Sequence, residues 1–133
     1  MTRRRESPLS ILIVEDQPDV LAMYAEYFRW RGHAVHEASD GRTAVARAAE
    51  SPPDAIVMDL SLPHVDGVEA IVRLKQDPRT SKVPIVICTA YLPGERAMRT
   101  LEAAGYQHYV TKPCLPEDLL AAVQGVVSRS RAA

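Results

Sequence analysis

The sequence predicts an α/β fold: one domain built on a five-stranded parallel sheet with helices on both faces. Three observations carry this. From Leu9 onward, strand-like and helix-like segments alternate five times, the pattern of parallel strands joined by crossover helices. Three of the strand-like segments hold near-continuous apolar runs, SILIV at 10–14, AIVM at 55–58 and IVIC at 85–88, as strands covered on both faces require. A chain of 133 residues is also long enough for one full core and too short for two ordinary domains.

Strand 1 is expected over residues 10–15, followed by a helix from Pro18, a residue suited to a first helical position, to Arg31, with Gly32 ready to end it. Val20, Tyr24, Tyr27 and Phe28 recur in that helix at helical spacing. Residues 34–38 (AVHEA) form a short strand, more polar than the others and so expected near an edge. Asp40 can cap a second helix running to Glu50, burying Ala44, Val45 and Ala48. Pro52 and Pro53 break it ahead of strand 3, residues 54–59. Pro63, Asp66 and Gly67 mark a loop, and helix 3 then runs to Gln76 with Val68, Ile71, Val72 and Lys75 on its inner stripe. Strand 4 is expected over 84–88, helix 4 over 94–104 ending at Gly105, strand 5 over 107–111, and helix 5 over 116–128 opened by Pro116. The domain thus spans 9–128. Residues 1–8, with Arg3, Arg4 and Arg5 in a row, read as a solvated N-terminal tail, and 129–133 as a C-terminal tail.

Composition narrows the function. Hydrophobic residues make up 47%, charged residues 25%, and the formal net charge is -1, so no charge excess points to nucleic acid or a membrane surface as partner. No apolar stretch approaches the roughly 20 residues of a membrane span, and the N-terminus lacks a signal-peptide core; the expected location is cytoplasmic. Cys88 and Cys114 have neither disulfide-framework nor zinc-ligand spacing. Cys88 reads as a small core residue, and Cys114, beside Pro113, as the more accessible thiol. His64 reads as an exposed loop residue, and His33, His36 and His108 are scattered without ligand spacing.

The polar residues that close the apolar runs are the informative ones. Glu15 and Asp16 close strand 1, Asp59 closes strand 3, Thr89 follows strand 4 and Lys112 follows strand 5. In open parallel sheets ligands bind outside the carboxyl ends of the strands, where the strand order reverses. A carboxylate alone is a poor nucleophile toward a phosphoryl donor because both are negative, so such a site needs cations. Three carboxylates suit a hard divalent ion such as Mg²⁺, Lys112 adds a second positive charge, and the Thr89 hydroxyl can hydrogen-bond an incoming group.

With its acidic pair after strand 1 (Glu15, Asp16), Asp59 followed by Pro63 and Asp66-Gly67, Thr89-Ala90 after strand 4 and Lys112-Pro113 after strand 5, the chain resembles the receiver domains of two-component response regulators, in particular single-domain, chemotaxis-regulator-like ones. The resemblance covers residues 9–128 and implies a flavodoxin-like doubly wound sheet of strand order 2-1-3-4-5 with five helices. It implies that Asp59 is the phosphoacceptor, charged by a sensor histidine kinase or phosphotransfer protein. Asp16 would ligate Mg²⁺ directly, Glu15 through water, and the Ser61 backbone carbonyl would complete the protein ligands with Asp59. Lys112 would pair with the phosphoryl oxygens, and its bond to Pro113 would be cis. Thr89 and Tyr109 would form the switch: the hydroxyl moves to the phosphoryl group, gaining a partner it lacked, and the ring turns inward. The changed surface, around helix 4, strand 5 and helix 5, would bind a downstream protein. Trp30, on helix 1, would have a claim to a kinase interface.

Such a domain catalyses only its own phosphorylation and dephosphorylation. With no output domain expected after helix 5, it reads either as a stand-alone regulator or as a receiver excised from a larger hybrid kinase or multidomain regulator. An Asp-dependent Mg²⁺ phosphatase of the haloacid dehalogenase type is the enzymatic rival, but its second Asp, two residues past the nucleophile, is Ser61 here. A flavodoxin-like cofactor binder would need a phosphate loop after strand 1, where Glu15, Asp16 and Gln17 stand instead.

Overall fold

A computed structural model describes residues 7–132. The elements alternate as expected: β1 (Ser10–Val14), α1 (Pro18–Trp30), β2 (Ala34–Ala38), α2 (Gly41–Glu50), β3 (Ala55–Met58), α3 (Gly67–Gln76), β4 (Ile85–Thr89), α4 (Glu95–Ala104), β5 (His108–Thr111) and α5 (Pro116–Ala132). All neighbouring strands pair in parallel, in the order β2-β1-β3-β4-β5, so the polar strand β2 does lie at an edge.

Successive side chains on a strand point to opposite faces, and that period of two divides the core. Ile11, Ile13, Ala55, Val57, Val86 and Cys88 face α1 and α5, where Phe28, Leu120 and Val123 cover them. Leu12, Val14, Ile56, Met58, Ile85 and Ile87 face α2, α3 and α4, where Ala44, Ile71 and Leu101 cover them.

The helix ends follow from local chemistry. Pro18 opens α1, and the Asp40 and Asp66 carboxylates accept the Thr43 and Glu69 backbone N–H at 2.7 and 2.9 Å, satisfying donors the first helical turns leave over. Gly32 (φ 96°) and Gly105 (φ 91°) take left-handed backbone just past α1 and α4, as stop residues should.

Three expectations need correction. The fully buried stripe of α3 is Gly67, Ala70, Ile71 and Leu74; Val68 and Val72 flank it half-buried, and Lys75 spends its ammonium on the carbonyls of Ser81 (3.3 Å) and Val83 (3.0 Å). Burial lowers the Lys75 pKa below the ordinary lysine value. In α2, Ala44 and Ala48 are buried while Val45 is half-buried. Residues 129–132 continue α5 instead of forming a tail, since SRSRA contains no Gly or Pro to break the helix, and Arg131 pairs with Asp54 at 2.9 Å. The Arg3–Arg5 run lies outside the described residues.

Candidate phosphoacceptor site

Strand register brings the strand ends level. Val14 pairs with Met58, so Glu15 and Asp59 each stand one residue beyond that pair. Thr89 pairs with Thr111, which leaves Lys112 immediately past the β4–β5 ladder, its N–H donating to the Thr89 carbonyl at 2.9 Å. The Asp59 N–H donates to the Val14 carbonyl at 3.1 Å, continuing the sheet up to the carboxylate.

Three hydrogen bonds hold the carboxylate of Asp59, which is itself buried. The Thr89 hydroxyl donates to Oδ1 at 2.7 Å, and the Ser61 N–H donates to the same oxygen at 3.2 Å. Lys112 Nζ reaches Oδ2 at 3.2 Å and also makes an ion pair with Glu15 Oε1. One carboxylate oxygen each of Glu15, Asp16 and Asp59 lie within 4.8 Å of one another, with Glu15 buried and Asp16 exposed. Three carboxylates against one lysine leave the cluster short of positive charge. That imbalance and the all-oxygen donor set fit a hard divalent cation, with Asp16 on the solvent-exposed side.

Burial pushes the Glu15 carboxyl above its ordinary value; Lys112 and the Gln17 N–H, which donates to Oε2 at 3.1 Å, pull it back, and the Asp59 charge adds to the rise. For Lys112, burial favours the neutral amine, but the Glu15 hydrogen bond and the Asp59 charge outweigh it and the net shift is upward. The ammonium therefore stays charged where it is needed.

All five strand-end residues singled out from the sequence converge, and the Lys112–Pro113 bond is cis. The switch pair differs in one respect from expectation. The Thr89 hydroxyl does not lack a partner: it already donates to Asp59 and accepts the Tyr91 N–H at 3.1 Å. Tyr109 is half-buried, with its ring 6.1 Å from that of Tyr106 and its hydroxyl donating to the Tyr91 carbonyl at 3.2 Å. The Thr89 and Tyr109 hydroxyls thus both bond the backbone of Tyr91, just after β4.

Cys88 is buried as expected, and burial raises its thiol to about 11; Cys114 is shifted up too, so neither is an activated nucleophile. His64 is exposed in the loop after β3, and takes left-handed backbone (φ 64°). Two residues, both named in the sequence reading, contribute in ways it did not assign. A Cβ on Gly67 would sit 2.1 Å from the Asp59 carbonyl oxygen and 2.5 Å from Leu60 Cα, so only glycine lets α3 start against the acceptor's own backbone. Tyr24, read as a core residue, sends its hydroxyl to the Cys114 carbonyl at 2.8 Å; a tyrosine in an apolar stripe, whose polar tip must find a partner, was the available signal.

Comparison with known proteins agrees with this geometry. Residues 11–124 match the family model of the response regulator receiver domain. The phosphate regulon transcriptional regulatory protein PhoB of Escherichia coli is 35% identical over 119 residues, which are 90% of this chain and 52% of that protein. The chain thus spans from about a quarter to about half the length of the curated relatives it matches. Chemotaxis response regulator CheY4 of Vibrio cholerae superposes with a TM-score of 0.81 at 28% identity, covering 90% of this chain and 99% of that one. The receiver domain of sensor histidine kinase PA1611 from Pseudomonas aeruginosa, whose structure has a magnesium ion coordinated in the active site cleft, superposes with a TM-score of 0.81 at 32% identity, covering 92% and 99%. No helix among the described residues is long and apolar enough to cross a membrane. A receiver model over nearly the whole sequence, the matching sheet and an acidic pocket at its carboxyl edge together decide the matter: the chain belongs to the response regulator receiver domain family.

Proposed function

We propose that Asp59 accepts a phosphoryl group from a histidine kinase or phosphotransfer protein and that the domain thereby changes its binding surface. A receiver domain is a phosphoacceptor switch and not an enzyme with an external substrate. The observation that carries the site assignment is the set of contacts on one carboxylate: Thr89 and Ser61 hold Oδ1, Lys112 holds Oδ2, and Glu15 and Asp16 lie alongside. In the transfer, an Asp59 oxygen forms a bond to phosphorus while the bond from phosphorus to the donor's imidazole nitrogen breaks, leaving an acylphosphate on Asp59 and a neutral histidine on the donor once it is protonated.

The carboxylates of Glu15, Asp16 and Asp59 fit Mg²⁺; Asp16 and Asp59 would hold it directly, Glu15 through water and the Ser61 carbonyl from the backbone, and the ion would neutralise charge between acceptor and donor. Lys112 is placed to take one phosphoryl oxygen and Thr89 another, both as preorganised donors. Loading shifts the Thr89 hydroxyl from Asp59 Oδ1 to a phosphoryl oxygen, and Tyr109 follows because both side chains hold Tyr91. The surface of α4, β5 and α5 then meets a downstream protein, either a separate partner or the remainder of a longer regulator.

The test is intact mass after incubation with acetyl phosphate and Mg²⁺. The parent should gain one phosphoryl group, and Asp59→Asn or chelation of Mg²⁺ should abolish the gain. A stable, stoichiometric adduct in Asp59→Asn would overturn the assignment.

A further inference from the structure

Lys112 is carried by a short stretch between β5 and α5, and its ammonium must meet Asp59 from there. The stretch is anchored at one end by the Lys112 N–H on the Thr89 carbonyl and at the other by the Leu115 carbonyl, which accepts the Asp118 and Leu119 N–H at 3.0 Å each as α5 begins. Pro113, in between, has no N–H to contribute. The tie to the middle comes from another helix. Tyr24, on the inner face of α1 and only 3% exposed, donates its hydroxyl to the Cys114 carbonyl at 2.8 Å.

The ring of Tyr24 packs in the apolar core, in the cluster of Ile11, Ile13, Phe28, Val86 and Leu120, and its oxygen has the Cys88 thiol as a weak donor at 4.0 Å. A buried tyrosine hydroxyl is retained at a cost unless it is bonded, and here the bond ends two residues from the lysine of the site. Burial also keeps the hydroxyl protonated well beyond the ordinary tyrosine range, so it remains a donor at any working pH.

We propose that Tyr24 is a positioning residue for phosphoryl transfer: from α1 its hydroxyl fixes the Lys112–Leu115 stretch and, through it, the reach of the Lys112 ammonium to Asp59. The inference rests on the reading of Asp59 as acceptor and Lys112 as its cation. Misplacing a catalytic group by about 1 Å can cost on the order of 10²-fold in rate. Because the Lys112 backbone keeps its bond to Thr89, the displacement without Tyr24 is partial, and the expected loss is about 3- to 10-fold.

Tyr24→Phe removes the hydroxyl and leaves the ring packed. The initial rate of phosphorylation by acetyl phosphate at saturating Mg²⁺ should fall by that factor, while Mg²⁺ affinity by calorimetry stays within about twofold, because Glu15, Asp16 and Asp59 are untouched. In a Lys112→Ala background the same change should have no further effect, since it acts through the ammonium. A parental rate in Tyr24→Phe, or an equal loss with and without Lys112, would overturn the inference and leave the acceptor assignment standing. If instead Lys112→Ala or Asp59→Asn is phosphorylated as fast as the parent, the site reading itself fails and the role of Tyr24 falls with it. Thermal melting of Tyr24→Phe is the control: a rate recovered by cooling the sample well below its melting point would mark a purely structural residue and also overturn the proposal.

Discussion

α1 and α4 follow strands that feed the same site, yet they are held very differently. α1 buries Tyr24, Ala25 and Phe28, ties the loop beyond Lys112 through Tyr24, and reaches β2 through Arg29, whose guanidinium bonds the Val35 carbonyl and Glu37 at 2.9 Å each. α4 buries Leu101 alone, starts at Gly94 with no side-chain cap, and follows the exposed Tyr91 and Leu92. Its ion pair, Arg99 to Glu95, stays within the helix and is largely exposed, so it contributes little. Glu15 and Asp16 therefore enter the site ahead of a well-anchored helix, while Thr89 leads to one held by a single fully buried side chain, Leu101, with Met98 half-buried beside it. Weakly buried elements open at low free energy, and a switch needs one element it can move without unfolding the rest. The difference fits the proposed switch, with the α1 side as its fixed part and the α4 side as its responsive part.

The largest effect should come from emptying the anchored side. Phe28→Ala should destabilise the domain by about 3–5 kcal/mol in urea unfolding, whereas Leu101→Ala should cost about 2–3 kcal/mol, because the largely exposed surroundings of α4 can relax around the loss. Amide exchange in the parent should be faster across α4 than across α1. Equal protection of the two helices would break the comparison.

Thr89→Ala sharpens it at the site. The variant should still gain a phosphoryl group, since Asp59, Lys112 and the acidic pair remain, but amide shifts across residues 90–115 should lose most of their response to loading. An undiminished response would mean that the signal leaves the site by another route.

Glu15→Gln tests the cost of holding carboxylates on the rigid side. Its pKa is raised in the folded state, chiefly by burial, so folding favours the protonated form; the stability contribution is present at low pH and is lost as pH rises through the folded value. Removing the charge should therefore stabilise the metal-free domain by about 0.5–2 kcal/mol at neutral pH, with the gain shrinking as pH falls through the raised folded value toward the ordinary glutamate range, and should weaken Mg²⁺ binding. Lower stability of the variant at pH 7 would show that the ion pair with Lys112 outweighs burial.

The smallest effect is expected at the loop before α4. Tyr91 is half-exposed beside Leu60 and Ser61, where an acidic group could orient water toward the acylphosphate. Tyr91→Glu should speed loss of the phosphoryl group by a few-fold in a mass-based decay assay; an unchanged or slower decay would remove Tyr91 from the path of the water.

Much of this was legible in the chain alone. Strand and helix periods, the polar residues that end the apolar runs, the capping aspartates and the two helix-ending glycines are local signals, so the five alternating pairs and the five strand-end residues could be read before any contact was known. Other features depend on what packs against what. The α3 stripe differs because Leu74 and Lys75 are one helical step apart, and only tertiary packing, with Leu74 in the core and Lys75 on the carbonyls of Ser81 and Val83, decides which of them turns inward. α5 outlasts its apolar pattern because an exposed helix needs no buried face to continue, only the absence of a breaker. The Thr89 bond to Asp59, the glycine at the acceptor's backbone and the Tyr24 tie to Cys114 join residues 30, 8 and 90 positions apart. Spacing along a chain tells which face a side chain is on; distance across the fold, set by parallel register and helix docking, decides which other side chain it meets there.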